Sequence, residues 1–300
     1  MVGLPKIDLH MHTIVSDGSD DPAELVLRVR EAGLDMFSVT DHDAIKGCRR
    51  AAGALVPGDP FFIPGVEFAC KDECGKYHIL GYAYDIDAEP INNVVDKGHS
   101  IRLKKLAARL EFLKERFGVV FPEKEIKALH DLSNPGKPHL GNLMVKYKYA
   151  GSREEAIRDF INKKHFSTQY LSPKEVIEGI LASGGVPVLA HPSYGSGDDL
   201  FVGEEMEERL RRLMALGLQG VEACYSGFTA KLRGELLGYS EKYGLYVTAG
   251  SDYHGANKMI ALGDNCMSDL TELPEGMRRF FERVGFDPDQ RIKGPQTGII

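Results

Sequence analysis

The stretch Asp8-Leu9-His10-Met11-His12-Thr13-Ile14-Val15-Ser16-Asp17 decides how the rest of the chain is read. It sets one carboxylate and two imidazoles at alternate positions, with a second carboxylate five residues on. Alternate residues of a strand share a face. A strand over residues 7–10 that runs on into a loop would therefore bring Asp8, His10 and His12 together on one side. Imidazoles and carboxylates gathered in that way are ligands for borderline divalent metals. The segment predicts a multi-metal hydrolase, and further groups of the same kind recur along the chain.

Those groups recur at the ends of predicted strands. Short apolar runs over residues 7–10, 36–40, 61–68, 77–82, 186–190, 220–223 and 245–248 read as strands separated by helical patterns. Asp21-Pro22-Ala23-Glu24 reads as a helix start, with Asp21 as the cap, and Gly33 as its stop. Asp43 reads as the cap of a helix over 44–54. Ser172-Pro173-Lys174-Glu175 is a second capping box. Seven strands alternating with helices predict a parallel sheet closed as a barrel. Polar residues then fall at the C-terminal strand ends, where barrel active sites lie. They are His10 and His12, Asp41 to Asp43, Glu67, His191, Glu222, and Asp252 with His254, while His78 lies within its strand. Any one of these alone has a plain structural explanation, such as a buried hydrogen-bonded histidine or a turn. Six histidines and three carboxylates at one barrel mouth do not.

The pattern changes between residues 97 and 170. A long amphipathic helix is predicted over 97–117, with further helices over 123–130, 140–149 and 153–164 and no strand. This gives a barrel of residues 1–96 and 171–300 carrying a helical insertion at 97–170. The insertion holds 16 Lys and Arg against 8 Asp and Glu, in a chain of net charge −7. A basic segment in an acidic body suits an anionic substrate, while the overall charge argues against general duplex binding. No apolar run approaches the roughly 18 residues of a membrane span. The chain opens without a basic-then-apolar leader, and its five cysteines follow no zinc-finger spacing. A cytoplasmic protein with reduced thiols is expected. Nothing in the composition specifies an oligomeric state.

The motifs Asp8-Leu9-His10, His12-Thr13, Thr40-Asp41-His42-Asp43, Gly65-Val66-Glu67, Ala190-His191-Pro192 and Ser251-Asp252 with His254 resemble those of the PHP (polymerase and histidinol phosphatase) superfamily. The resemblance implies an α/β fold, a distorted (β/α)7 TIM-like barrel, and two to three divalent metal ions (Mn, Fe or Zn). It implies a first metal on His10, His12, Glu67 and Asp252. A second would lie on Asp17, His42 and His254, and a third on Glu67, His78 and His191. Glu67 would bridge, and Asp8 would orient a ligand histidine. Asp8, Glu67, Asp252 and His254 form the expected catalytic group.

The helical insertion is similar to that of small PHP phosphoesterases acting on nucleoside 3′,5′-bisphosphates and oligonucleotide 5′ ends. Their Gly-Arg-Pro-His element stands here as Gly136-Lys137-Pro138-His139. Lysine keeps the charge but loses the planar fork. Ser193-Tyr194 replaces a segment that typically carries arginine. The resemblance implies hydrolysis of a phosphomonoester by a metal-bridging hydroxide. Lys137, His139, Ser193 and Tyr194 would meet a small phosphorylated substrate, a nucleotide or short oligonucleotide. The competing expectations are a histidinol-phosphate phosphatase, an amidohydrolase-type C–N hydrolase, and a non-catalytic PHP module.

Overall fold

The computed structural model describes residues 3–166, 169–194 and 200–289. In chain order the elements are β1 (Ile7–Asp8), α1 (Pro22–Ala32), β2 (Met36–Phe37), α2 (Lys46–Gly53), β3 (Phe61–Phe62), β4 (Gly65–Asp72), β5 (Gly75–Tyr82), α3 (Glu89–Phe117), α4 (Glu123–His130), α5 (Lys137–Lys146), α6 (Arg153–Glu155), α7 (Pro173–Ala182), β6 (Val186–Leu189), α8 (Gly203–Ala215), β7 (Gly220–Tyr225), α9 (Ala230–Tyr243), β8 (Tyr246–Gly250) and α10 (Glu275–Val284).

The strands form two sheets. One is parallel, ordered β1-β2-β3, and the other runs β4-β5-β6-β7-β8. The expected single sheet of seven parallel strands is corrected here. The run 61–68 is two strands, parted at Pro64, which has no N–H to donate. β4 and β5 pair antiparallel from Gly65 with Tyr82 to Asp72 with Gly75, and β5 is also antiparallel to β6. Only Glu73 and Cys74 connect β4 to β5. A two-residue link can make a hairpin but not a parallel crossover. The edges of the two sheets meet: the Leu9 N–H donates to Ala249 O at 2.9 Å, and His42 forms an isolated parallel bridge with Glu67.

The predicted helix signals mostly hold. Asp21 accepts from the Ala23 N–H, Pro22 occupies the first turn, and Gly33 closes α1 at φ 65°. Ser172 and Glu175 form the reciprocal capping box of α7. Asp43 does not cap α2: the cap position is Ile45, without a side-chain bond. Asp43 turns instead towards β4, accepting from the Ala69 N–H at 3.1 Å, and takes a bond from Arg102 Nε of α3. The third helix begins at Glu89, eight residues before the expected start. Its apolar spacing runs back through Val94 and Ile91, which pack in the main core with β-strand residues such as Ile79 and Val188. Further along, Leu106 and Leu113 belong to a separate cluster with Phe121, Leu140 and Ile161. A third cluster, with Leu25, Val29 and Phe37, fills the space under β1 and β2. α3, about 43 Å long at 1.5 Å per residue, thus crosses from one core to another. All five cysteines are free. Among the described residues no helix is long and apolar enough to cross a membrane.

Candidate metal centre

Backbone contacts place the first and last motifs side by side. Past β1 the chain runs beside the end of β8: Asp252 N–H donates to His10 O at 2.8 Å, and His12 N–H to Tyr253 O at 2.8 Å. Asp41, fully buried, ties in the second motif. It accepts from the Thr13 N–H and hydroxyl and from the Ser16 hydroxyl at 2.7 to 2.8 Å. The loop bearing His12 and Asp17 is thereby fixed against the loop bearing His42. Three residues here hold positive φ without being glycine: Asp43 (48°), His191 (27°) and Asp252 (59°). Such conformations are costly and are held in place by their surroundings.

Glu67 is the hub. Its side chain is 1% exposed, and imidazole nitrogens of His10, His12, His42, His78 and His191 lie 2.8 to 3.3 Å from its two oxygens. Asp252 Oδ1 lies 3.2 Å from His12, 3.6 Å from His10 and 3.5 Å from His254. Asp17 lies 3.3 Å from His254, 3.8 Å from His12 and 3.9 Å from His42. The ligand atoms fall into three groups compact enough to hold a cation: His12, Asp17, His42 and His254; His10, His12 and Glu67; His42, Glu67 and His78. All nine expected ligand residues lie together here, although His12, His42 and Glu67 each serve two groups, while Asp252 and His191 belong to none and meet the cluster through the histidines and Glu67 respectively.

The electrostatics suit cations. Burial opposes ionisation of Glu67, Asp17 and Asp252, yet the surrounding histidines hold all three well below the usual carboxylate range. Burial would lower His12, but Asp252 and Glu67 outweigh it and push it up to about 10. Four buried atoms, His10 Nε2, His12 Nε2, His42 Nδ1 and Glu67 Oε2, lack a hydrogen-bond partner. Buried lone pairs left unsatisfied at one point, on ligands of the N/O type, fit divalent metals.

Asp8 stands behind the cluster. It accepts from the Ser251 N–H (2.9 Å) and hydroxyl (2.6 Å), from the Gly263 N–H and from the His10 backbone N–H, and it touches no imidazole. Burial pushes its carboxyl up to about 6 against these bonds. The residue that holds a ligand ring is Glu222. Its Oε1 lies 3.0 Å from His10 Nδ1, and its Oε2 accepts the His191 backbone N–H at 2.7 Å. A carboxylate only accepts, so His10 Nδ1 carries the proton and Nε2 is left free for a metal. Glu222 was expected near a strand end and lies within β7 (Gly220–Tyr225); its partner was not visible in the sequence.

A cavity of about 300 Å³ opens beside the cluster. Asp17, His42 and His78 line it together with Arg102, Lys105, Arg109 and Lys137. A second cavity of about 320 Å³ shares Asp17, His42 and His78 and adds Arg153 and Lys258 at its rim. Lys137 thus reaches the expected place, donating to Asn162 Oδ1 at 2.7 Å. His139 does not line either cavity; its Nδ1 accepts the Gly136 N–H at 3.2 Å and closes the start of α5. Ser193 is 2% exposed and lines neither cavity. Tyr194 also lies outside both, donating its hydroxyl to Gly227 O at 2.6 Å and packing on Tyr225 and Phe228. Tyr194 lines instead a small third cavity with His78 and His191. The cations of α3 were missed, though residues 102, 105 and 109 recur at i, i+3 and i+7 and so mark one helix face.

No protein-family model matches the chain. A 5′-3′ exoribonuclease of Haemophilus influenzae is 27% identical over 263 residues, covering 87% of this chain and 94% of that protein. A 3′,5′-nucleoside bisphosphate phosphatase of Chromobacterium violaceum is 26% identical over 262 residues, covering 84% and 88%. The crystal structure of a protein from Bifidobacterium adolescentis, described as a metal-dependent phosphoesterase, superposes with a TM-score of 0.76 at 29% identity, over 93% of this chain and 96% of that one. Over most of its length the chain is thus similar in sequence to enzymes named for the cleavage of phosphate esters and similar in fold to a metal-dependent phosphoesterase.

Proposed function

We propose that the protein is a metal-dependent hydrolase of phosphoesters, acting on nucleotides such as a nucleoside 3′,5′-bisphosphate or an oligonucleotide 5′ end. The observation that carries this reading is the meeting of two kinds of group in one cavity. Asp17, His42 and His78 of the cluster line it together with Arg102, Lys105, Arg109 and Lys137. The first set suits cations, and the second suits a further anionic group on the same substrate. The two relatives act, by their names, on RNA and on nucleoside bisphosphates.

His10, His12, Asp17, His42, Glu67, His78, His191, Asp252 and His254 would hold two or three Mn, Fe or Zn ions, with Glu67 shared between them. Bound there, the metals would activate water and offset charge on the phosphate oxygens. The chain's own part is positional. Glu222 fixes the His10 ring, Asp41 fixes the loop of His12 and Asp17, and Asp8 fixes the Ser251–Asp252 turn. We also propose that the two sheets act as one distorted barrel and that residues 97–170 cap the substrate. Five free thiols suit a cytoplasmic setting. A small amino-alcohol phosphate would leave the cationic wall without a role. The lysine that commonly bridges metals in amidohydrolase-type sites is absent from the cluster described.

The test is phosphate or nucleotide release by purified protein with Mn²⁺. The substrates are nucleoside 3′,5′-bisphosphates, mononucleotides, short 5′-phosphorylated RNA and histidinol phosphate. Turnover of the nucleotides above histidinol phosphate is expected. No turnover of any phosphoester refutes the reading. Metal content well below two equivalents, unchanged in Glu67→Ala, refutes the multinuclear centre.

A further inference from the structure

The cationic wall continues beyond the cavity. On α3, Arg102, Lys105, Arg109, Phe112 and Arg116 recur at steps of three and four residues, which sets them on one face. The first three line the cavity, and the last two lie further out along the helix. From residue 102 to 116 the face runs about 21 Å, longer than one nucleotide needs. Aromatic rings lie against these cations, from Phe166 and Tyr170 as well as from Phe112. Lys105 Nζ sits 3.4 Å from the Tyr170 ring centre, the Arg109 guanidinium 5.1 Å from that of Phe166, and Lys164 Nζ 5.8 Å from that of Phe112.

An ordinary solvated basic face explains this poorly. Among the described residues Lys105 and Arg109 make no ion pair with a carboxylate, and Arg109 Nε is buried without any partner. Burial, together with Arg102 and Arg109, lowers Lys105 to about 7. Of these cations only Arg102 meets a carboxylate, Asp43, so Lys105 and Arg109 call for an anion, and the half-buried rings beside them offer a surface to a flat partner. A single nucleic-acid strand supplies both at a regular repeat, with phosphates for the cations and bases for the rings.

We infer that this stripe is the path of a single-stranded oligonucleotide leading away from the metal-ligand cluster, its phosphates on Arg102, Lys105 and Arg109 and its bases against Tyr170, Phe166 and Phe112. The inference rests on the phosphoesterase reading and narrows its substrate class from mononucleotides to strands.

The experiment compares 5′-phosphorylated RNAs of one to five nucleotides in the wild type, in Phe166→Ala and in Phe112→Ala/Arg116→Glu. One stacked base contributes about 1–3 kcal/mol, so KM in the wild type should fall about tenfold or more as the strand lengthens. In the variants that length advantage should shrink to under threefold. The salt dependence of KM for the pentanucleotide should also become shallower on loss of Arg116. Equal KM for one and five nucleotides in the wild type overturns the proposal. So does a variant that slows both lengths in the same proportion, because that pattern marks a structural role only. Fluorescence anisotropy with a labelled pentanucleotide reads the stripe without turnover, so it separates failure of this proposal from failure of the phosphoesterase reading. Weaker binding by both variants supports the path, and unchanged binding overturns it.

Discussion

Glu222→Gln is the sharpest test of how the centre is held. Both partners of Glu222, His10 Nδ1–H and the His191 backbone N–H, are donors. His10 and Glu222 are both 0% exposed, so their contact is shut off from water. Glutamine keeps the shape but offers only one acceptor oxygen, and its amide would point N–H at N–H. One donor is then left unpaired, which costs roughly 1–3 kcal/mol. If the ring of His10 turns to recover a partner, its Nε2 leaves the position facing Glu67 Oε2 at 3.3 Å. Loss of such a supporting bond typically weakens metal binding about 10- to 100-fold, or about 1.4–2.7 kcal/mol. The assay is chelator competition with Mn²⁺, run beside thermal unfolding in EDTA. We expect a Kd raised at least tenfold and a lower Tm even without metal. A Kd within threefold of wild type, with a normal Tm, would refute the assignment of Glu222 as the support of His10.

Burial and the neighbouring arginines lower Lys105 to about 7, and burial with Arg109 lowers Lys137 to about 8. Both lose their charge as pH rises, so KM for a nucleotide should climb between about pH 7 and 9, and Lys105→Arg should flatten the rise. For Lys105 the depressed folded-state value also means that stability increases with pH from about 7 towards the unfolded value, a trend that urea melts at several pH values would check. Asp43→Asn removes the acid from its buried contact with Arg102. A loss of roughly 3 kcal/mol is expected, with strong non-additivity when Arg102→Gln is added, and urea unfolding of the four proteins tests it. Gly250→Ala would put a Cβ 2.2 Å from His10 Cβ and 2.5 Å from Glu222 Oε1. Overpacking of about 1–3 kcal/mol and reduced metal content are expected, and a variant with normal metal content and Tm would show that the site gives way more easily than the geometry implies.

The candidate metal-competent residues were legible because strand geometry and residue chemistry are local properties. His10 and His12 sit at alternate positions before the chain turns, and each later group closes a short apolar run. The caps at Asp21 and Ser172 were legible for the same reason. Asp43 was misassigned because a carboxylate before a helical pattern caps by default, whereas here Arg102 of α3, 59 residues away, competes for it. The hairpin of β4 and β5 was missed because its turn, Glu73-Cys74, lacks the glycine or asparagine that usually announces one, although Gly75 follows at φ 142°. Ser193 and Tyr194 entered the expected substrate contact by analogy, and the packing of Tyr194 on Tyr225 and Phe228 could not be read from the sequence.

By itself, then, the sequence determined the chemical inventory: nine metal-competent side chains, the α/β alternation and a basic helical segment. Tertiary structure alone decided which imidazoles and carboxylates lie within reach of one another, which carboxylate supports which ring, and that Arg102, Lys105 and Arg109 line one cavity with Asp17, His42 and His78. The physical reason is that residue type and short-range periodicity are written in the chain, whereas a distance of 3 Å between residues 10 and 222 exists only once two remote strand ends are packed together.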